Sequence, residues 1–190
     1  MKNNPYQSPG KGIVVIGATG SGKTTFAQDL GKILGYRVIE LDAIHWLPDW
    51  QEADWNDIRS QVDDITNQPG WVCDGNYRQV RNILWPKADT LVWLNYPFLV
   101  VLARLFKRSL LRVFGKVELW NGYRERFRSL FMSKDSLFQW LFKSYPRHKN
   151  EYPLEFAKPE YRHLQVICFS NPGQAKVWLK ELVKISFQNE

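Results

Sequence analysis

The sequence predicts an α/β fold in which a five-stranded parallel sheet carries helices on both faces. Three observations lead there. Short runs of consecutive apolar residues recur along the chain without the alternation of a half-exposed strand, as in residues 13–16 (IVVI) and 90–94 (TLVWL). Segments of helical character separate these runs, and alternation of strand and helix is the pattern of a parallel sheet. Gly17 and Gly22 stand five apart and are followed at once by Lys23 and Thr24, a glycine-rich junction between the first strand and the first helix.

The elements follow in order. The first strand, residues 12–16, is a β-branched apolar run suited to a buried pleated surface. The first helix, Lys23–Leu34, opens directly behind the glycines. Residues 37–41 make the second strand, and residues 53–67 an amphipathic helix with Trp55 at its head. Residues 71–74 are a third buried strand, ended by Asp74 at the turn-forming pair Asp74-Gly75. Residues 90–94 give the fourth. Residues 98–109 form a helix whose apolar start is interrupted by Arg104 and falls far short of the roughly 20 residues that span a bilayer. Residues 112–159 lack strand character, mix aromatics with arginines, and read as a helical lid inserted before the last strand, residues 164–169. The closing helix, residues 173–184, has Pro172-Gly173 at its start, where proline is tolerated, and Asn171 as a cap.

A chain of 190 residues supports one substantial core rather than two full domains, so residues 1–190 are read as one unit. Residues 1–10 are polar and read as a flexible start, not a signal peptide, which makes a cytoplasmic protein the expectation. Cys73 and Cys168 each sit in an apolar run with no Cys or His at metal-ligand spacing, and read as buried reduced thiols. Charge is uneven. Residues 104–134 hold nine lysines and arginines against Glu118 and Glu125, so the whole formal charge of +7 resides there. Such a stretch is built to meet an anion.

The glycine-rich junction is a complete phosphate-binding loop, Gly17-Ala18-Thr19-Gly20-Ser21-Gly22-Lys23-Thr24-Thr25. Its backbone N–H groups turn inward around phosphates, which demands glycine conformations and close approach. Lys23 brings an ammonium to the β- and γ-phosphates, Thr24 offers a hydroxyl to Mg2+, and the helix adds the positive end of its dipole. ATP and Mg2+ are the expected cofactors. Asp74, at the mouth of a buried strand, is the candidate metal-side carboxylate, with a plain Asp-Gly turn as the alternative.

The run Trp71-Val72-Cys73-Asp74-Gly75-Asn76-Tyr77-Arg78 resembles the Asp-Gly-x-x-Arg segment of adenylate kinases and other nucleoside monophosphate kinases. That resemblance implies that Arg78 binds the acceptor phosphate. Together with Leu41-Asp42-Ala43-Ile44-His45-Trp46-Leu47-Pro48-Asp49-Trp50, it is similar to the adenylate-kinase-related DNA topology modulation (FlaR-like) proteins over most of residues 11–108. The implied fold is that of a P-loop kinase.

Arg104 and Arg108 lie four apart and share a helix face, an arrangement that points two guanidinium groups into one cleft or leaves a solvated basic face. Adenylate kinases have a similar pair, which implies Arg104 on the adenine and Arg108 on the phosphates. Arg124, Arg126, Arg128 and Arg147 are candidates for bracing the transferring phosphoryl group, with Arg124 and Arg128 foremost. Asp42 follows the second strand, where kinases of small hydroxylated metabolites such as shikimate kinase have an acidic residue. It either holds acceptor hydroxyls or caps a loop. Trp46 and Trp50 offer flat faces to an acceptor or to the core, Trp55 fits the core better, and His45 reads as structural or exposed.

The leading expectation is therefore phosphoryl transfer from Mg-ATP to a nucleotide or small hydroxylated acceptor. A nucleic-acid-binding protein gripping phosphates along residues 104–134, with Phe106, Phe114, Trp120, Tyr123 and Phe127 to stack bases, is a second reading. A regulatory ATPase with no acceptor is a third.

Overall fold

The computed structural model describes residues 8–48, 51–114 and 137–188. Five parallel strands form one sheet: β1 (Gly12–Gly17), β2 (Arg37–Glu40), β3 (Trp71–Asp74), β4 (Thr90–Leu94) and β5 (Gln165–Phe169), in the spatial order β2-β3-β1-β4-β5. The expected α/β class and strand number are observed. The three inner strands, β3, β1 and β4, are buried along their whole length, which is why their sequences run apolar without alternation.

Helices cover both faces. On one side α3 (Trp55–Thr66) and α4 (Arg78–Lys87) bury Ile58, Val62, Val80, Leu84 and Trp85 against Val14, Ile16, Cys73 and Trp93. On the other α1 (Lys23–Leu34), α5 (Phe98–Phe114) and α7 (Pro172–Gln188) bury Phe26, Leu30, Leu105 and Trp178 against Ile13, Val15 and Val92. Helix α6 (Leu137–Phe156) serves both cores, with Leu141 in the second and Tyr152 and Phe156 in the first. Among the described residues there are also the short α2 (Leu41–His45) and a 3-10 turn at Pro159–Tyr161.

Three differences from the sequence expectations have clear causes. The second strand stops at Glu40 because residues 41–45 coil directly into α2, which carries Asp42 and His45. No helix was expected over residues 78–87, where Arg78, Gln79, Arg81, Asn82, Pro86 and Lys87 obscure the pattern; α4 forms there, and Val80, Leu84 and Trp85 fall on one face and are fully buried. The expected lid over residues 112–159 divides. Residues 115–136, which include Arg124, Arg126 and Arg128, lie outside the described residues, whereas α6 is fixed to the body of the fold by Leu141, Tyr152 and Phe156. The expected cap at Asn171 is observed, its Oδ1 accepting from the Gln174 backbone N–H at 3.0 Å.

The topology positions a site. Chain leaves the carboxyl end of β1 towards β2 and leaves β4 towards β5 on the opposite side, so a crevice opens at the carboxyl ends between them. Where α1 crosses β2, Gly31 leaves no room for a side chain: an added Cβ would lie 2.4 Å from Val38 Cγ2 and 3.1 Å from the Tyr36 carbonyl oxygen. Alanine ordinarily gains about 1 kcal/mol over glycine inside a helix, but overpacking of this kind costs about 1–3 kcal/mol. Gly31→Ala is expected to lower stability to urea unfolding by about 1 kcal/mol, against the helix-propensity trend.

Candidate active site

The loop between β1 and α1 folds as its glycines allow. Gly20 and Gly22 adopt φ of 82° and 89°, the left-handed region that side chains avoid. Both also face close neighbours. A Cβ on Gly20 would meet Leu105 Cβ at 2.9 Å and the Val101 carbonyl oxygen at 3.0 Å, so α5 packs directly on the loop. A Cβ on Gly22 would lie 2.7 Å from Arg104 Nη2. Gly22 is the residue before α1 and provides no side-chain cap, which leaves the first N–H groups of the helix to a ligand. The Lys23 ammonium lies back over the loop, donating to the Ala18 carbonyl at 3.4 Å.

Thr24 and Asp74 meet across the sheet. Strand β3 pairs with β1 in a register that sets Asp74 opposite Val15, and the Gly75 N–H donates to the Val15 carbonyl at 3.1 Å. Thr24 Oγ1 then donates to Asp74 Oδ2 at 2.5 Å. The other carboxylate oxygen, Oδ1, is buried with no hydrogen-bond partner among the described residues. Burial pushes the Asp74 carboxyl up from its ordinary value, against the pull of the Lys23 charge and the Thr24 hydrogen bond; Asp42 and Glu40 push the same way as burial. A hydroxyl beside an orphaned carboxylate oxygen fits Mg2+, which takes oxygen ligands and keeps several waters. Among the described residues no cluster of three or more His, Cys, Asp or Glu could hold a metal by itself. Thr24 and Asp74 would therefore supply part of a shell completed by phosphate oxygens and water.

One strand further out lies a second group. The Tyr77 hydroxyl donates to Asp42 Oδ1 at 2.7 Å, joining the loop after β3 to α2. Burial, then the neighbouring Asp42 carboxylate, raises the Tyr77 phenol far above its usual range, so it remains a donor. His45 is buried at the heart of an aromatic cluster, 4.9 Å from Trp55, 5.0 Å from Tyr77 and edge-on to Trp46 at 4.6 Å. It is structural, and Trp55 packs against the core as expected. Trp46 is half-buried beside it, and Trp50 lies outside the described residues.

The arginines divide. Arg104 sits beside Gly22 and 5.9 Å over the Tyr96 ring; burial pushes the Tyr96 phenol up to about 12, opposed by the Arg104 charge. Arg108 lies one turn further along α5, half-buried. Arg78 heads α4 with an exposed side chain held in an ion pair to Glu151 of α6 at 2.5 Å. Arg147 is exposed and lies 5.7 Å over Trp140. Sequence reasoning missed Arg81, which is buried on α4, bonds Asn76 Oδ1 at 3.2 Å, pairs with Glu155 at 3.4 Å and stacks on Trp85. It also gave no role to Tyr77 or Glu151. Tyr77 stands inside the Asp-Gly-Asn-Tyr run and was the findable one; the other depends on how α6 docks.

A glycine-rich loop between β1 and α1, a strand-end carboxylate beside it and the order β2-β3-β1-β4-β5 define a P-loop kinase type of fold. Among solved structures it is similar to a shikimate kinase from Acinetobacter baumannii in complex with shikimate, with a TM-score of 0.52 and 16% identity over 95% of each chain. It is also similar to a shikimate kinase from Bacteroides thetaiotaomicron, with a TM-score of 0.51 and 16% identity over 91% of this chain and 96% of that one. No protein-family model and no curated protein sequence matches the chain. No helix among the described residues is long and apolar enough to cross a membrane.

Asp74 gives a test of the geometry without any substrate. Because its folded-state carboxyl is raised, the stability tied to this group is present below the ordinary carboxylate range and is lost as pH rises through the raised value. At neutral pH the ligand-free protein carries it as a liability. Asp74→Asn is expected to raise the melting temperature of the ligand-free protein at neutral pH by roughly 2–4 °C, a gain that shrinks in acid, as read by differential scanning calorimetry.

Proposed function

We propose that this chain is an ATP- and Mg2+-dependent small-molecule kinase that transfers the γ-phosphoryl group to an acceptor hydroxyl. The Thr24–Asp74 hydrogen bond carries the reading, because it joins the phosphate loop to a strand-end carboxylate whose other oxygen has no hydrogen-bond partner among the described residues. The fold similarity to shikimate kinases is consistent with it. Backbone N–H groups of the loop and the start of α1 bind the polyphosphate. Lys23 leaves the Ala18 carbonyl for the β- and γ-phosphate oxygens, and Arg104, already beside Gly22, adds a second cation. Thr24 and Asp74 would hold Mg2+, which when bound neutralises phosphate oxygen charge. Arg108 acts on the same side as Arg104, one turn along α5.

Asp42 orients the acceptor. Tyr77 occupies Oδ1, so Oδ2 accepts the hydrogen of the attacking hydroxyl, and the half-buried Trp46 supplies an adjacent flat wall. Arg78, the acceptor-phosphate ligand implied by the adenylate-kinase resemblance, is already neutralised by Glu151. This favours a hydroxylated acceptor over a nucleoside monophosphate. The position of Arg104 beside Gly22 likewise supports a role for the first cation of the basic stretch at the nucleotide rather than along a nucleic acid.

The deciding experiment is ATP consumption with Mg2+ across polyols, sugars, hydroxy acids and nucleoside monophosphates. A hydroxylated acceptor is expected to raise turnover well above background hydrolysis, and Lys23→Ala to abolish it. Asp42→Asn is expected to lower acceptor-dependent turnover by about 10²-fold or more while ATP still binds in fluorescence titration. Gly22→Ala, strained by about 1–2 kcal/mol in the left-handed region and pressed on Arg104, is expected to weaken ATP binding about tenfold or more. Stimulation by no acceptor would overturn the reading.

A further inference from the structure

We propose that Tyr77 is a positioning residue for the transfer, acting through Asp42: its hydroxyl fixes the acceptor-side carboxylate relative to the metal-side carboxylate, Asp74. The inference rests on the role given to Asp42 above. Asp42 is exposed in the first turn of α2, and exposed side chains change rotamer within nanoseconds. A carboxylate that must meet one hydroxyl in one geometry needs a second point of attachment. The Tyr77 hydroxyl, donating to Oδ1 at 2.7 Å, is that attachment, at the length of a charge-assisted bond to a carboxylate.

Tyr77 suits this work because it is itself held from two sides. Its ring centroid lies 5.0 Å from that of His45, which is buried, and 5.7 Å from that of Trp55, which packs against the core. Its main chain follows Asp74 by three residues, and between them the Gly75 N–H donates to the Val15 carbonyl at 3.1 Å, tying the loop to β1. The same loop packs on the start of α2. A Cβ on Gly75, whose φ is 118°, would lie 3.3 Å from Leu41 Cβ. A donor already held in place loses little conformational freedom on bonding, so the bond withstands competition from water at an exposed carboxylate. Burial, and then Asp42, raises the phenol, so it keeps its proton. Asp74 and the anchor of Asp42 are thus the two ends of one braced segment, residues 74–77.

Tyr77→Phe keeps the ring and removes only the hydrogen bond. The probe is the polyol, sugar or hydroxy acid that most raises ATP turnover by the full-length wild type, followed in steady state at saturating Mg-ATP. Tyr77→Phe is expected to lower kcat about tenfold or more, the worth of a hydrogen bond to a charged group, and to leave KM for that acceptor within about twofold. In the Asp42→Asn background the same substitution is expected to cost nothing further, because no carboxylate remains to be held. An unchanged kcat, a loss carried by KM, or losses that multiply in the double variant each overturn the proposal. So does a fall in ATP affinity in Tyr77→Phe, read by fluorescence titration, since a role through Asp42 leaves nucleotide binding intact. If no acceptor stimulates the wild type, the function proposed above falls and this inference with it; if one does and Tyr77→Phe matches the wild type, the inference alone falls.

Discussion

The hydrogen bond from Thr24 to Asp74 is the contact on which the rest of the site depends, and it exists only because the sheet is threaded out of sequence order. Strand β3 lies against β1 although β2 precedes it in the chain, and the register that sets Asp74 opposite Val15 brings the carboxylate to the height of the loop. A slip of one residue would turn Asp74 to the other face of the sheet. The buried apolar residues on both faces of β1 and β3 make such a slip costly, so the packing of the core fixes a polar geometry at its rim.

The same constraint explains why the site accepts an unfavourable group. A buried carboxylate with one oxygen unpartnered costs free energy in the empty protein, as does a helix start with no side-chain cap. Both deficits are local, and under the proposed function both would be relieved by the same kind of ligand: phosphate at the N–H groups and a cation at the oxygens. The aromatic cluster of His45, Trp46, Trp55 and Tyr77 is the counterweight at the sheet edge, stiffening α2 so that Asp42 is presented from a fixed base.

Legibility in the sequence followed locality. Helix α1 and strands β3 and β4 could be bounded to the residue because glycines or wholly apolar runs mark their ends. The phosphate loop and Asp74 were readable for the same reason, since their chemistry sits within a few residues of their punctuation. Helix α4 was not, because five polar residues and Pro86 outweigh three fully buried apolar ones in any local pattern. The pairs Arg78–Glu151 and Arg81–Glu155 depend on α6 folding back more than sixty residues later, and spacing along the chain carries no trace of that.

Helix α6 has a bearing on how the molecule comes apart. Its first half seals one core through Leu141 and its second half seals the other through Tyr152 and Phe156, so neither layer can be lost without releasing the element that closes its neighbour. Two cores on opposite faces of a sheet would otherwise be free to melt in turn. Clasped by one helix, they make a single cooperative unit, and the segment that presents Glu151 and Glu155 opens only when the whole fold does.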